Sequence, residues 1–187
     1  MSPTSQEKHM NFQTRLTAKI LTLGGVVSIP TDTLQGLSCL PICEQSIQKM
    51  LRIKHRSVTK GIILLASDIR LLLAFVQDIN LLLKIQPQRH PTTYLLKANP
   101  SVSPLITGEF DTVAVRVTDN PLIADLCKRC NSALLSTSAN ISGKQGANSV
   151  LKLNIDFQQQ LDYILTPKRD NSKASHIINL QTGERLR

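Results

Sequence analysis

Apolar and polar positions fall into blocks along this chain, and block length together with spacing separates helices from strands. Residues 5–25, SQEKHMNFQTRLTAKILTLGG, place Phe12, Leu16, Ile20 and Leu23 three or four apart, which predicts an amphipathic helix closed by Gly24. VVSI (26–29) is a short continuous apolar run of strand length, and it stops abruptly in PTDTLQGL (30–37). CEQSIQKMLRIKHR (43–56) returns to helical spacing through Ile47, Met50, Leu51 and Ile53 and ends on a basic cluster. GIILLAS (61–67) reads as a buried strand, followed by two short helices in DIRLLLAFV (68–76) and INLLLKIQ (79–86). TTYLLKA (92–98) and TVAVRVT (112–118) read as strands, the second alternating as a half-exposed one does.

PLIADLCKRC (121–130) is a helix with proline in its first turn, and ALLSTSAN (133–140) is a strand that runs into small polar residues. SGKQGANS (142–149) is a loop; DYIL (162–165) and SHIINL (175–180) carry weaker strand signals, then a turn at QTG and a basic end at ERLR. Helices and strands interleave without a repeat, a low-complexity tract or a dividing linker. The expected fold class is therefore α/β, an open sheet flanked by helices. A chain of 187 residues corresponds to one domain, 1–187.

Composition adds a partner class. Twenty-two Lys and Arg against thirteen Asp and Glu give a net charge of +9, which points to a polyanion: nucleotide phosphates, RNA or an acidic surface. Only 3% of residues are aromatic and none is Trp, so base-stacking platforms of the single-strand binders are scarce. No segment approaches the roughly 18 apolar residues of a membrane span, and the polar start has no signal-peptide core. The expectation is a cytoplasmic protein with no membrane association. Cys39 and Cys43, and Cys127 and Cys130, lack the knuckle sequence of a zinc ribbon, so they are expected to be reduced thiols.

Two strands end alike, VVSI in PTDT and ALLS in TSAN. If they lie close together, Thr31, Thr33, Ser136, Ser138 and Asn140 form a shelf of hydroxyls and amides along one rim, where open α/β sheets hold ligands. Each run taken alone also fits a capped turn. KHRSVTKG (54–61) adds Lys54, Arg56 and Lys60 at the mouth between a helix and a buried strand, a density of charge that suits a triphosphate. The same residues also fit a solvated helix end whose cations favour the dipole. Neither GxxxxGK[ST] nor GxGxxG occurs, which argues against a P-loop or Rossmann nucleotide site. No carboxylate cluster builds a metal cage, so no metal ligands are assigned; Asp32 is the one motif carboxylate singled out as a contact.

The order PTDTLQGL, KHRSVTKGIILLA, FDTVAVRVTDNPL, LLSTSANISG closely resembles the YrdC-like family of threonylcarbamoyl-AMP synthases in its short, single-domain bacterial form, from about Val26 onward. The resemblance implies an open twisted mixed sheet flanked by helices, with a basic concave cleft. It implies synthesis of threonylcarbamoyl-adenylate from L-threonine, bicarbonate or carbon dioxide, and ATP, with Mg2+ carried by ATP. Partner proteins would then transfer the threonylcarbamoyl group to adenosine 37 of tRNA. Carried over residue by residue, Lys54 and Arg56 fall on the ATP phosphates, and Ser138 and Asn140 on phosphate and adenylate oxygens. Thr31 and Thr33 fall where the family binds threonine. Arg116 matches a cleft arginine able to take a carboxylate; Ser175, on the ATP side, and Lys60 are further matches. The chain departs from the family pattern at Gln35, at Ser57, and at Arg89, His90 and Pro91, which stand where relatives have W-P-G-P. Two alternatives remain: a non-catalytic module that binds tRNA or double-stranded RNA, and a nucleotide-binding regulatory domain without catalysis.

Overall fold

The computed structural model describes residues 5–143, 146, 149–165 and 174–187. The elements in chain order are α1 (Ser5–Thr22), β1 (Val27–Pro30), β2 (Gln35–Cys39), α2 (Glu44–Ile53), β3 (Ile63–Ala66), a 3-10 segment (Ile69–Phe75), α3 (Ile79–Leu82), β4 (Thr92–Lys97), α4 (Pro104–Thr107), β5 (Thr112–Val117), α5 (Pro121–Cys130), β6 (Leu134–Ser138), α6 (Val150–Asp156), β7 (Tyr163–Ile164) and β8 (His176–Asn179). Among the described residues the strands form one mixed sheet in the order β7-β1-β2-β6-β3-β5-β4-β8. Part of the loop expected over 142–149 lies outside the described residues.

Because β1 and β6 each pair antiparallel with the intervening β2, they run the same way. The polar runs that follow them, 31–34 and 138–140, therefore reach the same rim, as their shared sequence ending suggested. β2 itself was not expected. Its residues Gln35, Gly36 and Ser38 carry little apolar signal, yet it joins β1 to β6 in register Gly36 to Ser138.

The two faces of the sheet are used differently. On one, α2, the 3-10 segment, α3 and α4 cover Leu37, Leu64, Val113, Val115 and Leu135, the larger core. On the other, α1 and α5 cover Val27, Ile29, Leu65 and Leu134. Leu65 is paired in register with Leu134 on one side and Arg116 on the other, and two residues along the same face Ile63 sits between Ser136 and Ala114. That second row lies outside the α1 and α5 cover and lines an open cleft. The alternation of β5 produces both surfaces at once: Val113, Val115 and Val117 enter the core while Thr112, Ala114 and Arg116 face the cleft.

α1 packs through a different stripe from the one its apolar spacing indicates. Phe12 and Leu23 are 65% and 77% exposed, whereas Thr14, Thr17, Ala18 and Leu21 are buried. Small residues along 14, 17 and 18 admit close approach, and the Thr17 hydroxyl is satisfied by the Gln13 carbonyl at 2.8 Å. α5 packs against α1 and is capped by Asn120, whose side chain accepts from the amides of Leu122 and Ile123. The four cysteines are free thiols, and no described helix is long and apolar enough to cross a membrane.

Candidate active site

A cleft of about 430 Å³ opens over the uncovered half of the second sheet face. Thr31, Thr33, Ser136 and Ser138 all stand on its wall, so the two strand ends form one hydroxyl shelf. Gly36 lies between them, where a Cβ would come within 3.0 Å of Ser136 Oγ and 3.1 Å of Thr31 Cγ2, so any larger residue would press on both hydroxyl-bearing side chains.

The 31–34 loop is self-braced. Thr31 Oγ1 donates to the Leu34 carbonyl at 2.7 Å, accepts from the Thr33 amide at 3.1 Å and lies 3.1 Å from Thr33 Oγ1. Arg116 then locks the loop to β5. Its Nη1 donates to Thr33 Oγ1 at 3.2 Å, and its Nη2 lies 3.1 Å from Asp32 Oδ1 as an ion pair. Nε of the same guanidinium has no hydrogen-bond partner among the described residues, and the residue is only 3% exposed. Burial lowers the Arg116 pKa from its ordinary value; the Asp32 charge opposes that shift and Arg187 adds to it. Asp32 stands behind Arg116 and is not itself on the cleft wall.

Across the cleft, segment 54–61 is clamped to the entry of β5. Glu109 N–H donates to the Thr59 carbonyl at 3.1 Å, and Lys60 and Gly108 form an isolated bridge. Gly108 adopts φ 69°, and a Cβ there would collide with the Thr59 carbonyl oxygen, so this close approach also depends on glycine. Arg56 and Lys60 consequently line the cleft. Arg56 Nη2 donates to the Gly61 carbonyl at 2.7 Å, its Nε is buried without a hydrogen-bond partner among the described residues, and desolvation lowers its pKa.

Lys54 is placed differently from Arg56. It is 2% exposed, absent from the cleft wall, and its ammonium donates to the carbonyl of Ser138, the carbonyl of Asn140 at 2.7 Å and Asn140 Oδ1 at 2.9 Å. Asn140 likewise lies behind the wall. Ser175 is on the wall, 3% exposed, with its hydroxyl 2.9 Å from Thr93 Oγ1.

Sequence reasoning passed over several wall residues. Arg187 reaches the cleft because its backbone pairs with Ile177 beside β8, and its Nε donates to the Ser175 carbonyl at 3.0 Å. Thr93, Thr112 and Phe110, the last 55% exposed, also face the cleft. The alternation of TTYLLKA and TVAVRVT marks which residues share a face, but the β8-β4-β5 neighbourhood that gathers them was not readable from the sequence. Gln35, one of the departures from the family pattern, shares the side of β2 occupied by Leu37 and Cys39. Its Nε2 donates to Ser28 Oγ at 2.9 Å and the Leu165 carbonyl at 3.3 Å, away from the cleft.

Among the described residues the wall therefore carries four cationic side chains, Arg56, Lys60, Arg116 and Arg187, and no Asp or Glu. Among the described residues no three His, Cys, Asp or Glu come together as metal ligands. A surface of this kind binds anions, with neutral hydroxyls to fix their orientation.

The sequence model of the Sua5/YciO/YrdC family, described as telomere recombination, matches residues 19–187. The chain is 40% identical over 189 residues to a threonylcarbamoyl-AMP synthase of Nitrosococcus oceani, covering 95% of this chain and 98% of that one. It is 38% identical over 179 residues to the protein of the same name from Acinetobacter baumannii, covering 91% and 95%. Among solved structures, the H234A/Y235A variant of P. abyssi Sua5 superposes with TM-score 0.79 at 26% identity over 90% of this chain. P. abyssi Sua5 complexed with L-threonine shares the fold at TM-score 0.80 and 24% identity over 91% of this chain. This chain spans about half of each Sua5 chain, 53% and 51%.

Proposed function

The chain belongs to the Sua5/YciO/YrdC family, and from that premise we propose that it is a threonylcarbamoyl-AMP synthase acting on L-threonine, bicarbonate or carbon dioxide, and ATP. The observation that carries this reading is the cleft wall, which among the described residues has four cations, a paired hydroxyl shelf and no carboxylate. A triphosphate and an amino-acid carboxylate are both anions, and guanidinium and ammonium groups on the wall suit both.

In this reading Arg116, with Thr31 and Thr33, takes threonine, and Arg56, Lys60 and Arg187 face the phosphates. The threonine amine, once deprotonated, adds to carbon dioxide to give a carbamate. A carbamate oxygen then attacks the α-phosphorus of ATP, the bond to the bridging oxygen breaks, and pyrophosphate leaves. Such a transfer needs positioned charge more than a protein nucleophile, which fits a wall of guanidinium, ammonium and hydroxyl groups. Mg2+ enters with ATP as part of the substrate. The product would be handed to partner proteins that place the threonylcarbamoyl group on adenosine 37 of tRNA.

Incubation with ATP, L-threonine and labelled bicarbonate tests the chemistry. The expected product is a short-lived adenylate that carries the label, detected by mass spectrometry after rapid quenching. Label absent from every adenylate, with ATP consumed, would contradict the reading.

A further inference from the structure

We infer that Lys54 is a positioning residue, whose buried ammonium holds the 138–140 turn in place and keeps behind the cleft wall a positive charge that a bound polyphosphate neutralises. This rests on the nucleotide reading above, and departs from the expectation that Lys54 itself contacts phosphate. An ammonium has three protons. Here the Ser138 carbonyl, the Asn140 carbonyl and Asn140 Oδ1 accept them, with Ser138 Oγ more distant at 3.4 Å. Ser138 Oγ in turn donates to Asn140 Oδ1 at 2.6 Å, and Asn140 Nδ2 donates to the Ile141 carbonyl at 3.0 Å. The main chain closes the same loop: the Ser142 amide donates to the Lys54 carbonyl at 3.1 Å. With its protons committed and its side chain off the wall, Lys54 shapes the shelf from behind, through Ser138.

Among the described residues every acceptor of this ammonium is neutral. Lys54 takes part in none of the described ion pairs, which join other residues. The charged group that acts on it is Arg56, of the same sign; Ser138, Asn140 and Ser142 carry no charge. Among the described residues this desolvated cation has no counter-ion at salt-bridge distance. Burial first, and Arg56 second, lower its pKa from 10.5 to about 8.

The sign of the consequence follows. Between about 8 and 10.5 the folded, empty protein binds fewer protons than the unfolded chain, so its stability rises with pH through that window. A polyphosphate on the wall favours the charged form. Binding above pH 8 therefore takes up a proton, and affinity falls as pH rises. Opposite slopes for empty-protein stability and for anion affinity are the signature, and a merely structural lysine would not produce the second.

The test uses the full chain, as wild type, Lys54→Met and Lys54→Arg. ATP with Mg2+, and tripolyphosphate as a probe without a base, are titrated calorimetrically near pH 8.5 in buffers of different ionisation enthalpy, and the empty proteins are melted across the same pH range. The expected result is proton uptake by wild type for both probes and none for either variant, with Lys54→Met binding at least about tenfold more weakly near pH 7. The wild-type melting temperature should rise with pH relative to both variants, since arginine stays charged and methionine neutral. Equal proton uptake in wild type and Lys54→Arg, or parallel melting profiles, would overturn the inference. If ATP failed to bind, the nucleotide reading would fall, while tripolyphosphate and the melting profiles would still decide the role of Lys54. If Lys54→Met did not fold, Lys54→Arg against wild type carries the same comparison.

Discussion

Replacing Arg116 with lysine should raise the threonine requirement by about a hundredfold while changing the ATP requirement far less. The guanidinium is nearly enclosed, with Thr33 on one Nη and Asp32 beside the other, and an Nε that has no hydrogen-bond partner among the described residues. Lysine keeps the charge but offers a single point, so it cannot hold the 31–34 loop and meet a carboxylate at the same time. Loss of a charge-assisted contact costs about 1.5–3 kcal/mol, or roughly tenfold to a hundredfold, and displacement of Thr33 adds to it. Asp32, half-buried, would also lose its ion-pair partner, so a lower melting temperature is expected as well. Steady-state kinetics with each substrate varied in turn gives the answer. Equal effects on threonine and ATP would mean that Arg116 only braces the loop.

The second large effect is expected at Arg56. Arg56→Ala should weaken ATP binding by about tenfold to a hundredfold, again from loss of a charge-assisted contact of about 1.5–3 kcal/mol. Its Nη2 bond to the Gly61 carbonyl fixes the fork, and its Nε, unpartnered among the described residues, shows unused donor capacity on a residue of the cleft wall. Segment 54–61 remains anchored through Thr59, Lys60 and Gly108, so the fold should survive. Calorimetric titration of ATP, beside a thermal melt, separates affinity from stability. Wild-type affinity in a folded Arg56→Ala protein would remove Arg56 from the phosphate site.

Much of this site was legible because its residues sit where strands stop. VVSI and ALLS end in hydroxyl-bearing runs, and antiparallel pairing of both with β2 brings those runs together. β2 was hidden because Gly36 must leave the cleft open and Gln35 and Ser38 are polar, so it lacks the apolar pattern that marks a strand. The Lys54 environment was hidden for a different reason. A lysine at the end of an amphipathic helix ordinarily reaches solvent, and the long-range approach of the 138–140 turn is what buries it. Because the side chain is buried, Lys54→Ala is expected to lower stability as well as to disturb the site. Arg187 was unreadable because it joins the site through strand pairing beside β8, and the order of a sheet is not encoded in local periodicity.

The measurement that tests the central claim most directly is pyrophosphate release from ATP, with L-threonine and bicarbonate supplied or withheld in buffer stripped of carbon dioxide. Adenylation of a carbamate requires all three substrates, so release should occur with the complete mixture and disappear when either threonine or bicarbonate is omitted. Release that persists without bicarbonate would mean that threonine's own carboxylate is activated, or that ATP is cleaved without it, and would contradict the proposed chemistry.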